Sequence, residues 1–236
     1  MSQFRWLTGR GPALRAEHLE RRARLAPPAP LDARPLAEQR LVVLDLETSG
    51  LDTKRDQVLS IGAVLIESGA IDLARQFECT LSCDQPLGAS VLIHGLTPSS
   101  IAAGSEPAEA LLAFMEFAGS SPLLAFHAAF DQRMLARALK QSLGYRLTHP
   151  FFDVAELAPL LCPQATIRRG GLDDWARHFG LQVHQRHHAS ADALVTAELA
   201  LILFSQARRQ RLDSLQALQQ RLAGWRRRRR AHQLAL

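Results

Sequence analysis

Residues 41–44 form an apolar run of strand length that is followed by two carboxylates, Asp45 and Glu47. Residues two apart on a β-strand project from the same face, so both acids are expected on one side of the strand. Charge at the end of a buried strand is unfavourable unless something positive neutralises it. Arginine partners or exposure past the sheet edge would serve, but oxygen-only ligands best suit a pair of hard cations such as Mg²⁺ or Mn²⁺.

The rest of the chain shows both strand and helix patterns. Strands are predicted at residues 58–67, 71–81 and 122–126, and helices at residues 105–118, 130–141, 172–179 and 190–204. In the first of these helices Ser105 is expected as the N-cap, with Pro107 in the first turn. Strands that come close together, and then alternate with helices, predict an α/β fold with a mixed central sheet flanked by helices.

Proline and arginine mark the two ends of the chain. Residues 1–38 contain a short basic helical segment and the proline-rich stretch 26–30, and they predict a basic extension with a linker. The main domain is expected at residues 39–205. Residues 206–236 predict an amphipathic helix and an arginine-rich tail, with an apolar stripe at helical spacing and five consecutive arginines at 226–230. The stripe consists of Leu212, Leu215, Leu218, Leu222 and Trp225.

The net charge of +5 is distributed unevenly along the chain. Residues 1–40 carry +4 and residues 205–236 carry +8, which leaves −7 for residues 41–204. A plain nucleic-acid-binding module would be basic on its working face. An acidic centre between basic ends is expected of a nuclease, because carboxylates must hold cations while arginines elsewhere hold phosphates. An uneven but solvated surface is the alternative explanation.

The chain shows no pattern that would direct it out of the cytoplasm. Its N-terminus lacks the apolar segment of a signal peptide, and no apolar stretch approaches the length of about 18 residues that spans a bilayer. The three cysteines, Cys79, Cys83 and Cys162, cannot form a closed disulfide set. Cys79 and Cys83 are four apart, but no second Cys or His pair stands at zinc-finger spacing. A cytoplasmic protein that does not bind membranes is therefore predicted.

Two acids later in the sequence lie in the first turns of predicted helices. Asp131 falls in the first turn of the helix that follows the strand at 122–126, and Asp192 falls in the first turn of the last core helix. His187 precedes Asp192 by five residues, in a loop. Taken singly, each acid is explained by its interaction with the helix dipole, which contributes only a few tenths of a kcal/mol.

The order of these acids resembles the pattern of the DEDD exonuclease superfamily in its histidine-containing branch, the DEDDh 3′→5′ exonucleases. Over residues 40–205 the chain is similar to the epsilon proofreading subunit of bacterial DNA polymerase III and its stand-alone relatives. Residues 45–51, Asp-Leu-Glu-Thr-Ser-Gly-Leu, match the first family motif almost letter for letter. Residues 93–97 and 171–175 are also similar to family segments.

The resemblance implies a ribonuclease H-like fold and a site for two divalent cations, Mg²⁺ or Mn²⁺, about 4 Å apart. It assigns the metal ligands as Asp45, Glu47, Asp131 and Asp192. It also assigns His187 as the general base, a task that suits an imidazole because its ordinary pKa lies near neutral pH. The implied substrate-contacting residues are Thr48, Leu51, His94, Leu96 and His127. His127 departs from the pattern, because relatives carry asparagine at this position.

The expected activity is hydrolysis of DNA from single-stranded or frayed 3′ ends to nucleoside 5′-monophosphates, in proofreading, repair or turnover. RNA is the alternative substrate, and a non-catalytic nucleic-acid-binding module is the alternative of another class. The arginines at 226–230 are expected to bind phosphates, to dock on an acidic partner or to keep the tail soluble. The leucine stripe would pack on the domain, form a dimer or bind a partner helix. Residues 233–236 faintly resemble a sliding-clamp-binding peptide, and a polymerase subunit is a further possible partner.

Overall fold

The computed structural model describes residues 14–83, 95–167, 170–183 and 186–233. The predicted substrate contact of His94 lies outside these residues, and so does the predicted clamp-binding peptide at 233–236 except for Gln233. The described strands are β1 Leu41–Thr48, β2 Val58–Glu67, β3 Ala70–Thr80, β4 Leu123–Ala125 and β5 Phe151–Asp153. The described α-helices are α1 Ala16–Ala23, α2 Pro98–Ala102, α3 Pro107–Ala118, α4 Ala128–Leu143, α5 Val154–Leu161, α6 Leu172–Phe179, α7 Ala189–Arg209 and α8 Leu215–Gln233.

The five strands form one sheet in the order β3-β2-β1-β4-β5. Strands β1, β2 and β3 pair antiparallel, whereas β4 pairs parallel with both β1 and β5. The predicted mixed sheet flanked by helices is confirmed. Because the carboxyl ends of parallel strands lie at one edge of a sheet, the residues that follow β4 lie beside the end of β1.

Alternate residues of β1 belong to two different apolar clusters. Leu41 and Val43 pack with residues of α5, α7 and α8, whereas Val42 and Leu44 pack with residues of α3 and α4. The strand is therefore buried on both faces, which explains why its apolar run is continuous rather than alternating. By the same alternation, Asp45 and Glu47 share the face that carries α7.

Helix α7 is the central core helix and packs against β1 and β2. By length and composition alone it would also suit a membrane span. Buried core helices can have the same length and composition, and 56% of the most apolar 18-residue segment of α7 is buried within this fold. Its apolar character is therefore explained by the sheet that it covers.

The first turn of α3 differs from the prediction. The helix begins at Pro107, and Glu106 rather than Ser105 occupies the N-cap position. Ser105 is engaged by the end of β3: its N–H donates to the Thr80 carbonyl at 2.9 Å, and its own carbonyl accepts from the Ser82 N–H at 2.8 Å. The prediction that Ser105 caps this helix is wrong, because those backbone bonds hold Ser105 in a bridge to the neighbouring segment.

Both ends of the described chain contact the central domain. In α1, Arg21 forms ion pairs with Glu109 at 2.6 Å and Glu116 at 2.8 Å, both on α3. In α8, the leucine stripe is buried against the cluster that includes α5 and α7. Of the three arrangements considered for that stripe, the structure has the one in which it packs on the domain.

Candidate active site

Three carboxylates converge where β1 ends and α7 begins. Asp45, Glu47 and Asp192 each offer an oxygen atom, and these three atoms lie within 4.8 Å of one another. Asp45 and Glu47 come from β1, and Asp192 comes from the first turn of α7. The grouping follows from the strand alternation, which turns both β1 acids toward the helix that carries Asp192.

Asp131, the fourth predicted acid, is not part of this group of converging oxygen atoms, but it lies close enough for its charge to raise the pKa of Asp45. It lies in the first turn of α4 and is only 3% exposed. Burial raises the pKa of Asp131 to about 8, and the nearby charges of Asp153 and Glu47 add to this effect.

The pKa values of the two β1 acids are also raised. The pKa of Asp45 lies well above its usual range, mainly because the carboxyl group is buried and further because of the charges of Asp131, Asp192 and Glu47. Burial and then the charge of Asp192 raise the pKa of Glu47 to about 7. So much negative charge in a small, oxygen-only site favours bound hard cations, and the donor set fits Mg²⁺ or Mn²⁺.

One positive side chain stands against this cluster. The guanidinium of Arg186 donates to the carboxylate of Asp192 and also pairs with Asp173 on α6 at 2.5 Å. Its charge lowers the pKa of both Asp45 and Glu47, although burial and the surrounding acids outweigh it. Arg186 therefore offsets part of the negative charge of the site.

His187 occupies the loop that leads into α7. Its side chain is exposed and its backbone is left-handed, with φ of 60°, a conformation in which histidine is enriched among non-glycine residues. The His187 N–H donates to the second carboxylate oxygen of Asp192 at 3.1 Å. The start of α7 contacts β3 through Glu78. The Ser190 hydroxyl donates to the Glu78 carboxylate at 2.8 Å, and the His188 ring lies 3.3 Å from the same carboxylate.

His127, the residue that departs from the family pattern, precedes α4 and is exposed. It has a left-handed backbone with φ of 63°, a conformation that asparagine, aspartate and histidine adopt more readily than other non-glycine residues. Its N–H donates to the Asp153 carboxylate at 3.1 Å. Its ring contacts the Phe126 ring edge-to-face, with 4.8 Å between the two ring centroids. Histidine is thus one of the residue types that adopt this backbone conformation most readily.

The structure also describes three other predicted substrate contacts, Thr48, Leu51 and Leu96. Thr48 is buried, and its hydroxyl donates to the Gly50 carbonyl at 2.8 Å within the turn after β1. Leu51 is 85% exposed, and Leu96 is half-buried just before α2. None of these three residues belongs to the group of converging carboxylate oxygens, and their contact with substrate stays a prediction.

Gly62 contributes to the site and was missed in the sequence. It pairs with Asp45 across β1 and β2. A Cβ atom at this position would lie 2.1 Å from the backbone of Ala189 and Ser190. Only glycine allows the start of α7 to approach the sheet closely enough to bring Asp192 beside Asp45. An isolated glycine inside a continuous apolar strand was the available signal.

Asp153 and Arg186 were also left out of the predicted site. Asp153 accepts N–H groups from His127 at 3.1 Å and from Ala155 at 3.0 Å, so it joins the starts of α4 and α5. The sequence contained no sign of these partners. Arg186 is brought to Asp192 by the left-handed turn at His187, which no local pattern predicts.

The exonuclease family model, RNase_T, matches residues 42–200, which include all four acids and His187. The chain belongs to this exonuclease family. It is therefore a nuclease, and the family membership predicted from its motifs is confirmed.

Relatives of this exonuclease include PolC-type DNA polymerases III. The chain is 31% identical over 167 residues to the polymerase of Clostridium perfringens, and 32% identical over 161 residues to that of Thermotoga petrophila. These alignments cover 71% and 68% of this chain. They span only 11% of either polymerase, so the similarity concerns a small part of those large proteins.

Solved exonuclease structures share the fold. E. coli Exonuclease I in complex with a dT13 oligonucleotide superposes with a TM-score of 0.61 at 16% identity, over 73% of this chain and 42% of that one. Exonuclease X in complex with 5′ overhanging duplex DNA superposes with a TM-score of 0.58 at 21% identity, over 71% of this chain and 92% of that one. The sheet and helices that hold the carboxylates are thus those of known exonucleases.

Proposed function

We propose that this nuclease is a 3′→5′ exonuclease that hydrolyses DNA to nucleoside 5′-monophosphates, with Asp45, Glu47, Asp131 and Asp192 as ligands of two divalent cations, Mg²⁺ or Mn²⁺. The convergence of oxygen atoms from Asp45, Glu47 and Asp192 within 4.8 Å carries this proposal. The raised pKa values of Asp45, Glu47 and Asp131 support it, because acids that repel one another in a buried site bind cations in place of protons. When bound, the cations polarise the scissile phosphodiester and stabilise the attacking and leaving oxygens.

The side chains of the protein supply the remaining steps. His187 takes the proton from the attacking water, and its exposed position before α7 lets it reach substrate without entering the carboxylate cluster. Asp192 accepts the His187 N–H at 3.1 Å and thereby keeps the base next to the cluster. Thr48, Leu51, Leu96 and His127 position the terminal nucleotide at the rim, and we extend this role to His94.

DNA is the preferred substrate in this proposal. The relatives are DNA polymerases by name, and the similar Exonuclease I and Exonuclease X structures contain DNA. A role in proofreading, repair or turnover of DNA follows from such a substrate. Hydrolysis of a matched RNA oligonucleotide at a higher rate than DNA would replace DNA by RNA in this assignment.

The test is a degradation assay with 5′-labelled single-stranded DNA and MgCl₂ or MnCl₂. The labelled strand should shorten stepwise from its 3′ end and release nucleoside 5′-monophosphates. Combined replacement Asp45→Ala and Glu47→Ala should abolish the reaction, and activity that survives both changes would refute the proposal. Combined replacement Glu67→Ala and Asp72→Ala is the matched control, because this pair of acids lies on the sheet but pairs with Arg75.

A further inference from the structure

A second concave site lies beside the carboxylates, between the arginine-rich end of α8 and the body of the domain. It is a cleft of about 520 Å³ whose walls are the first turn of α4, the β5–α5 junction and the C-terminal half of α8. Its volume falls within the range of ligand-binding pockets. The walls are mainly polar and include Gln132, Asp153, Glu156, Arg229 and Arg230.

The arginine-rich wall is held in place along its length. Leu215, Leu218 and Leu222 are at most 3% exposed, and they fasten the first half of α8 to the domain. Beyond them, the Arg226 guanidinium donates to Glu156 on α5 at 2.8 Å. The cleft is therefore formed by packed elements rather than by a free tail.

The charges that line the cleft do not balance. Glu156 is neutralised by Arg226, and the Asp153 carboxylate accepts two backbone N–H groups at the starts of α4 and α5. Arg229 and Arg230 form no salt bridge with any residue that the structure describes. Two cations therefore face the cleft without an acidic partner from the described chain, and they suit an anionic ligand.

Trp225 gives this wall its shape. The guanidinium carbon of Arg229 lies 4.5 Å from the centre of the Trp225 ring, one helical turn away on α8. This contact orients the Arg229 side chain along the cleft and reduces the entropy that it loses when it binds an anion. A planar guanidinium with a fixed orientation is well suited to phosphate oxygens.

The cleft and the candidate active site are adjacent along α4. Asp131 and Gln132 are consecutive in α4, and the first belongs to the carboxylate set while the second lines the cleft. Asp153, also in the cleft, accepts the N–H of His127 at the rim. A strand whose 3′ end reaches the carboxylates would thus pass the arginines with its preceding phosphates.

We propose that this cleft binds the phosphates on the 5′ side of the scissile bond in a single strand, with Arg229 and Arg230 as the phosphate ligands. The direction of the strand rests on the proposed 3′→5′ exonuclease function, whereas the phosphate binding itself does not. Each phosphate contact adds affinity and salt dependence without sequence preference. DNA and RNA share this backbone chemistry, so both should bind.

The test measures binding without hydrolysis, in EDTA, by fluorescence anisotropy of labelled oligothymidylates of about 4 and about 16 nucleotides. In the wild-type chain the longer strand should bind more tightly. Combined replacement Arg229→Glu and Arg230→Glu should weaken its binding by about 10-fold or more, and should reduce the slope of log K against log salt by about 1.4, from two contacts at about 0.7 each. A matched RNA strand should show the same loss.

The matched control is the double replacement Arg208→Glu and Arg209→Glu at the end of α7, which changes the net charge equally away from the cleft. An equal loss in this control, or unchanged binding by the Arg229 and Arg230 variant, overturns the proposal. Preference of the wild-type chain for polyglutamate over DNA also overturns it, in favour of an acidic protein partner. Arginine-dependent binding by a wild-type chain that hydrolyses no DNA supports the cleft while refuting the exonuclease direction.

Discussion

The guanidinium of Arg186 donates to the carboxylate of Asp192, so the residue that precedes the proposed base contacts a proposed metal ligand. The same side chain reaches Asp173 on α6 at 2.5 Å. Arg186 therefore links three parts of the site, and its charge opposes the repulsion among the acids. The positive charge of Arg186 lowers the pKa of Asp45 and Glu47 and so offsets part of the negative charge of the site.

Replacing Arg186→Gln should destabilise the metal-free protein more than the metal-bound protein. The side chain of Asp192 is only 7% exposed, so loss of its cationic partner should lower the free energy of unfolding in EDTA by on the order of 1–3 kcal/mol. Bound Mg²⁺ should restore most of the free energy of unfolding that the variant loses in EDTA. Urea unfolding in EDTA and in MgCl₂ measures both values. Arg177→Gln, which breaks the exposed pair with Asp174, is the control, and an equal loss under both conditions would contradict this role of Arg186.

The stability of the metal-free protein should fall as pH rises from about 4 to about 8. Asp131 has a pKa raised to about 8 and Glu47 a pKa raised to about 7, so in this window the folded state holds protons that the unfolded chain has released. For each such proton, the free energy of unfolding should fall by up to about 1.4 kcal/mol per pH unit as the pH rises. Urea unfolding in EDTA from about pH 5 to about pH 8 measures the slope.

Asp131→Asn is the diagnostic variant for this pH dependence, because an amide of the same shape does not titrate. Its unfolding free energy in EDTA should vary less with pH than that of the wild-type protein. Divalent cations should oppose the trend, because they bind the ionised carboxylates and gain affinity as pH rises. A wild-type stability that rises with pH in EDTA would show that the acids do not hold their protons in the folded state.

Much of the fold was predictable because its signals are local. The bounds of β2 and α6 agree with the prediction to the residue, since an apolar strand between turns and a helix ended by a left-handed Gly180 are encoded nearby in the sequence. The start of α3 was not predicted correctly, because the partners that hold Ser105 lie on another element. Local preference decides an element, but tertiary contacts decide its first residues.

The grouping of the four acids followed from strand alternation and family order, whereas their supports did not. Arg186, Gly62 and Asp153 act through contacts between elements distant in sequence. A lone glycine in a strand has many possible explanations before the helix that crosses it is known. The carboxylates were therefore visible in the sequence, and the packing that brings them together was not.

Replacing Gly62→Ala should separate Asp192 from the β1 acids. The added methyl group would lie 2.1 Å from the backbone of Ala189 and Ser190, which has no flexible side chain to yield, so the start of α7 must move. Overpacking of this kind destabilises by about 1–3 kcal/mol or more. Calorimetric titration with MnCl₂ should show weaker binding, and thermal unfolding a lower Tm. Gly171→Ala, where a methyl group has space, is the control, and unchanged Mn²⁺ affinity in the Gly62 variant would contradict this account.

The proposed base is best separated from its neighbour by comparing His187→Ala with His188→Ala. His187 holds Asp192 through its backbone N–H, which survives the replacement, so metal binding should persist while kcat on single-stranded DNA falls by about 10²–10⁴-fold. His188 should matter less, because its ring is occupied by Glu78 at 3.3 Å and Ser190 at 3.1 Å. His178→Ala, on the exposed side of α6, controls for loss of a surface imidazole. A larger loss of kcat in the His188 variant than in the His187 variant would identify His188 as the base. The loop before α7 would then have to rearrange when substrate binds.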